Sequence, residues 1–395
     1  MDLVDGRFYA SPDRWEAYSW MRSNEPVHWD EANGVWGVAT YAAVREIERS
    51  PEKFSSAGGI RPDGIPLPMM IEMDNPAHAL RRQLVNKGFT PRRVLATEPG
   101  VRELCDELID AVCERGECDF VNDLAAPLPM AVIGGMLGIE REDWPALLQW
   151  SDDMVTSQGG HASMELLQKA FDASMAYRAY ALEVIAARRR QATDDLISVL
   201  THAEVQGERL DDDELVMESL LILIGGDETT RHVISGGVEQ ILRSDTQRRL
   251  LIDQPDLIPG AVEEMIRWVS PIKNMCRTAV EDMSFHGSEL LAGQKLMLLY
   301  ESANRDEAHF DRADSFDVTR EVNDHLAFGL GTHFCLGANL ARMEIRVMLE
   351  QLLARLPDLQ LVSNEPLPLR PANFVSGPER MPVRFTPTPR KLAAA

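Results

Sequence analysis

Cys335 lies within Phe328-Gly329-Leu330-Gly331-Thr332-His333-Phe334-Cys335-Leu336-Gly337, directly before a run of helical spacing. A thiolate at a helix amino terminus is stabilised by the helix dipole and by backbone N–H groups. Glycines ahead of it let the chain turn tightly and approach a flat ligand closely. Such a thiolate is suited to donating to iron on one face of a haem. A buried structural cysteine is the plain alternative. A dinucleotide loop is excluded, because Phe334 stands where GxGxxG needs its third glycine.

Other groupings carry less information alone. Glu264 and Arg267, spaced i, i+3, share one helix face and could form a bidentate pair, although most such pairs are surface ion pairs. His78 and Arg82, spaced i, i+4 after Asp74-Asn75-Pro76, put two cations on one face, which is usually a solvated stripe. Gly225-Gly226-Asp227-Glu228-Thr229-Thr230 interrupts an otherwise apolar helical run. Each glycine costs about 1 kcal/mol in a helix interior, so close packing or a ligand must account for them.

Helical periodicity dominates the elements that must position these groups. It predicts helices over Val101–Cys113, Met164–Arg189, Glu214–Arg243, Pro259–Val269 and Leu336–Leu356. Asp211 with Glu214 three residues later fits a capping box for the longest of them. Strand-like runs are short: Val35–Val38, Lys295–Leu299 and pieces between Leu359 and Phe385. The reading is mainly α with a minor β region.

Composition narrows the function. The 395 residues are 45% hydrophobic and 26% charged, a globular balance with enough chain to bury a cofactor. A net charge of −23 repels phosphate backbones, so nucleic acid is not an expected partner. The longest apolar run, Leu220 to Gly226, is far below the roughly 18 residues of a membrane span. The acidic start Met1-Asp2-Leu3-Val4-Asp5 does not read as a signal peptide, and five cysteines do not read as a disulfide framework. A reducing cytoplasm is the expected location. Residues 391–395 read as a cloning-vector scar, leaving 1–390 as one domain.

On these residues the chain resembles the cytochrome P450 haem-thiolate monooxygenases, whose FGxGxHxCxG element is matched throughout by Phe328–Gly337. The resemblance covers essentially the whole chain. It implies the P450 fold and heme b (iron protoporphyrin IX) with the Cys335 thiolate as axial ligand. His78, Arg82, Arg277 and His333 match donors to the two propionates, while Phe328 and Gly337 frame the cysteine loop. Glu264 and Arg267 match the ExxR pair that locks the core. Gly225 and Gly226 match the helix over the distal haem face, where Gly225 leaves room for dioxygen. Thr229 would bond the Gly225 carbonyl, open the helix locally and orient a water, while Glu228 would relay protons; Asp227 is one position off. The loop from Asn304 to Arg320 departs from the family pattern, with Glu307 and Ala313 where prolines are frequent.

Pro68–Asp74, Gly225–His232, Lys273–Arg277 and Arg370–Gly377 further resemble the actinobacterial steroid side-chain oxidases. This implies oxidation of the terminal C26/C27 methyl of cholesterol or cholest-4-en-3-one, through alcohol and aldehyde to the acid. Ile65, Met70, Ile272, Phe374 and Val375 fall where the family lines its pocket, as does Met154–Met175. With no flavin, nicotinamide or iron–sulfur motif in the chain, electrons are expected from a ferredoxin and its NAD(P)H-dependent reductase. Arg81, Arg82, Lys87, Arg92 and Arg93, with Arg342 and Arg346, form the expected docking patch. The competing readings are the same chemistry on branched lipids or fatty acids, a peroxide-driven hydroxylase, and a haem-thiolate electron carrier. A cofactor-free helical scaffold would leave Cys335 and its cations without a purpose.

Overall fold

The computed structural model describes residues 1–156 and 162–391. Its centre is the helix Asp212–Leu242. The expected capping box starts it: Glu214 N–H donates to Asp211 Oδ1 at 2.8 Å, and Asp211 N–H to Glu214 Oε2 at 3.0 Å. Apolar residues on several faces let this helix run between two cores, as a helix hydrophobic nearly all round must. One core joins it to Pro91–Val112, Ile258–Val269 and Ala338–Arg355. The other joins it to Pro127–Leu137, Trp144–Thr156 and Met164–Arg190.

The β region is a side structure. Its largest sheet runs Val27–Asp30, Val35–Val38, Lys295–Leu299, Asn274–Ala279, Phe54–Ser55. The contact between Val35–Val38 and Lys295–Leu299 is parallel and the others are antiparallel. Both strands expected in this sheet from sequence have the expected bounds. The helix expected at Val101 instead begins at Pro91, where Thr90 caps it and proline occupies the first turn. Pro99 inside it obscured the periodicity.

The Glu264–Arg267 pair is fully buried, with Nε to Oε2 and Nη2 to Oε1 both at 2.8 Å. Arg267 also donates to the carbonyls of Asn304, Ala313 and Ser315. Glu264 accepts from Asp317 N–H, Arg320 and Asn323. The side-chain knot therefore organises the loop that lacks prolines at Glu307 and Ala313. Lys391, the first residue of the expected tail, is docked: its N–H donates to Asp110 and its Nζ to Asp106 at 2.7 Å. Residues 392–395 and part of Met154–Met175 lie outside the described residues.

Candidate active site

An apolar cavity lies among the helices, with about 190 Å³ available to the centres of water molecules. A single ordered water needs only about 10–15 Å³, so this space is built for a larger ligand. Cys335, His78, Arg82, Arg277 and His333 all line it, from three separate stretches of chain.

The loop before Cys335 owes its shape to glycine. Gly331 has φ +69°, and a Cβ there would sit 2.6 Å from the Glu48 carbonyl oxygen. Cys335 N–H donates to Phe328 O at 2.9 Å, closing the loop on itself, and Gly337 caps the following helix. Burial pushes the Cys335 thiol up, while the Gly337 N–H, Arg82 and Arg342 pull it down. A metal cation on the sulfur would tip that balance to the thiolate.

Among the described residues, neither Arg82 nor Arg277 forms an ion pair with a carboxylate. Arg82 Nη2 donates to Phe334 O at 2.5 Å and Arg277 Nη1 to Cys276 O at 2.8 Å. The His78 and His333 rings lie 4.2 Å apart, and both His78 nitrogens are buried without a hydrogen-bond partner. Burial and the charges of Arg277, His78 and Arg82 push His333 down to about 3, so its ring is neutral, and it already has a hydrogen bond to the Met73 backbone. The unpartnered His78 ring calls for an acceptor from outside the chain.

On the opposite wall, the two glycines have separate reasons. A Cβ on Gly225 would meet nothing within 4 Å, whereas one on Gly226 would press 3.0 Å from Ile133. Thr229 Oγ1 donates to Gly225 O at 2.9 Å, as its spacing implied. The helix nevertheless stays continuous from Asp212 to Leu242 rather than opening at this point, because its two apolar cores clamp both ends.

Glu228 is fully buried and lies off the cavity wall. Its Oε2 accepts from Arg231 at 2.8 Å and Arg370 at 2.7 Å. Both arginines also hold Asp152, whose side chain is 35% exposed, so Glu228 reaches the surface through a charged chain. Burial, then the neighbouring Glu228 charge, pushes Asp227 well above the usual carboxylate range.

Among the expected substrate residues, Met70 and Ile272 line the cavity. Three do not. Ile65 is 88% exposed, on a loop that turns away from the core. Phe374 lies under the Arg61 guanidinium, 3.4 Å from ring centre to Cζ. Val375 is buried behind the wall, bridged to Ile272. The expected docking patch is largely engaged within the chain: Arg81 with Glu214 and Glu218, Arg93 with Asp194, Arg342 with Glu263, Arg346 with Glu98 and Glu350. Lys87 donates to Glu204 O, and Arg92 is exposed.

Sequence reasoning missed two cavity carboxylates, Glu48 and Glu344. Tyr300 donates to Glu48 at 2.7 Å, and burial pushes Glu48 up to about 7. Glu344 is pushed well above the usual range by burial and by Asp227. The detectable signal was a charge on the apolar stripe: Val44–Glu48 and Leu340–Glu344–Met348 are spaced i, i+4.

A flat dianionic ligand fits this arrangement. The thiol would face its metal, orphaned donors its acidic edge, and the bare helix at Gly225 its open face. These features define a haem-thiolate protein. The sequence profile named "Cytochrome P450" matches residues 238–383. The chain is 61% identical over 390 residues to a steroid C26-monooxygenase of Mycobacterium tuberculosis, covering 98% of both chains. It is 58% identical over 393 residues to a steroid C26-monooxygenase of Mycolicibacterium smegmatis, covering 100% of this chain and 98% of the relative. The crystal structure of CYP109E1 from Bacillus megaterium in complex with testosterone matches at TM-score 0.86 and 35% identity, covering 95% of this chain and 99% of that one. The chain belongs to the cytochrome P450 family. It is a P450 monooxygenase with a cysteine-ligated haem, a small-molecule substrate, dioxygen and redox partners. Among the described residues, no helix is long and apolar enough to cross a membrane.

Proposed function

We propose that this P450 hydroxylates the terminal C26/C27 methyl of cholesterol or cholest-4-en-3-one and carries the product on to the acid. The observation that carries the reading is the identity of 61% and 58%, over nearly the full length, to two steroid C26-monooxygenases. The apolar chamber beside Met70 and Ile272 supports it, since a sterol offers almost no polar group to bind.

The haem, held by the Cys335 thiolate, would supply dioxygen activation and oxygen-atom transfer. Its propionates would take the donors of His78, Arg82, Arg277 and His333, which fixes the ring against the Cys335 loop. Gly225 keeps side-chain bulk off the opposite face. Thr229, anchored by donating to the Gly225 carbonyl, orients a water there by accepting from it with an oxygen lone pair. Glu228 passes protons toward Thr229, and Arg231 and Arg370 hold it in place and link it to Asp152 at the surface. Electrons come from a ferredoxin reduced by its NAD(P)H-dependent reductase, and the enzyme works in the cytoplasm. Because the basic cluster is mostly paired, docking would rest on Arg92 and on rearranged pairs more than on a standing positive patch.

The test is an optical titration of the purified ferric protein with cholest-4-en-3-one, after recording the reduced carbon monoxide spectrum. A red-shifted thiolate–CO band with a saturable low- to high-spin change is expected. The thiolate band without any sterol response would discard the sterol and favour the branched-lipid reading. A Thr229→Ala variant that kept full coupling of electron use to product would remove the relay role.

A further inference from the structure

Glu218 is a fully buried carboxylate that the reaction does not use. It sits two turns before Gly225 on the long helix, on the face that also presents Leu221 and Ile222 to the cavity. Its Oε1 accepts the backbone N–H of Met70 at 2.8 Å and Arg81 Nη1 at 3.2 Å. Met70 opens the short 3-10 turn Met70–Glu72, and both Met70 and Ile71 line the cavity. Arg81 belongs to the helix Ala77–Asn86, which carries His78 and Arg82. One carboxylate thus ties together the long helix, the turn that walls the chamber, and the helix bearing His78 and Arg82.

We propose that Glu218 is a positioning residue that fixes the Met70 wall over the chamber and thereby sets how bulky a ligand the enzyme accepts.

The segment before Met70 explains why an anchor is needed. Residues 56–69 form no helix or strand, and Ile65 and Leu67 are exposed. Glu72 ties the segment to itself by accepting from Ile60 N–H at 3.3 Å and from Leu67 N–H, and Asp74 ties it to Ser56 at 2.8 Å. Neither contact reaches the long helix; Glu218 does. A charged acceptor suits the task, because a hydrogen bond to an ionised group is about twice as strong as a neutral one. Arg81 and the Met70 N–H favour that charge against the burial that raises the carboxyl to about 7. Glu218 Oε2 stays buried and unpartnered, so the site keeps the carboxylate at some expense in stability.

The proposal rests on the haem-thiolate reading of the cavity and not on the sterol. Its test therefore uses two iron-coordinating probes on the holoenzyme: imidazole, which needs no chamber wall, and clotrimazole, which fills the chamber. The optically read affinity ratio of clotrimazole to imidazole is expected to change about tenfold, roughly one buried contact's worth, in Glu218→Ala. In Glu218→Gln, which retains an acceptor for the Met70 N–H, the ratio should stay within about threefold of wild type. An unchanged ratio in Glu218→Ala would overturn the proposal. So would loss of haem from both variants, since Glu218 would then be holding the fold and not the wall. Failure of the wild type to respond to cholest-4-en-3-one would leave this ratio readable and would count only against the substrate.

Discussion

The Glu264–Arg267 knot and the ring of His78, Arg82, Arg277 and His333 are both made of polar side chains taken largely out of water. Their hydrogen bonding is opposite. In the knot, each carboxylate oxygen and guanidinium nitrogen named above has a partner inside the chain. In the ring, among the described residues, His78 has none for either nitrogen, while Arg82 and Arg277 donate to backbone carbonyls and His333 bonds the Met73 backbone. A satisfied buried network closes on itself and specifies a fold. An unsatisfied one marks a place where the missing acceptor is a ligand. The same residue types therefore serve structure in one region and binding in the other.

Arg267→Ala attacks the first half of that contrast. It removes the bidentate partner of Glu264, leaving that buried carboxylate only Arg320 as a charged partner, and should cost about 3–5 kcal/mol of stability, read from urea unfolding. A loss below about 1 kcal/mol would remove the distinction between knot and ring. Arg277→Leu tests the second half. The unfolding free energy of the haem-free protein in urea should hold to within about 0.5 kcal/mol, while haem transfer to apomyoglobin should accelerate by about tenfold for one lost charge-assisted bond. A midpoint shift as large as that of Arg267→Ala would show that the ring, too, is structural.

The smallest effect sharpens the comparison at the neighbouring residue. Glu263 lies beside Glu264 on the same helix but pairs at the half-exposed side with Arg342 at 2.7 Å and His325 at 3.3 Å. Burial pushes it up, but those two partners outweigh burial and bring it from 4.5 to about 2. A carboxylate depressed on folding adds stability that is present above pH 4.5 and is lost as pH falls toward 2. Glu263→Gln should therefore be less stable than wild type by about 1 kcal/mol near neutral pH. The two unfolding curves should converge by about pH 2. A pH-independent difference would assign the effect to packing.

Much of this was legible before any coordinates. Cys335 was readable because a sharp turn, a thiol and a helix start occupy consecutive positions, so the motif is local. Thr229 bonding the Gly225 carbonyl was permitted by i, i+4 spacing and implied by the family resemblance. Glu48, Glu218 and Glu344 were missed for the opposite reason: each sits on an apolar helical stripe, and only the partner brought from elsewhere tells a role from an accident. Ile65 was misplaced because an apolar residue in an irregular segment carries no period to show which way it faces.

The chain's own order of residues determined its helices, the capped start at Asp211, the cysteine loop and the pairing geometry of Glu264 with Arg267, since these depend on neighbours within a few positions. Tertiary structure decided which charges are satisfied. It joined Glu228 to Arg370 across 142 positions of chain and Glu218 to the Met70 backbone across 148. It also separated Gly225, open to the cavity, from Gly226, packed on Ile133. Hydrogen-bond satisfaction and free space depend on what long-range folding brings alongside a residue, and local spacing does not encode that.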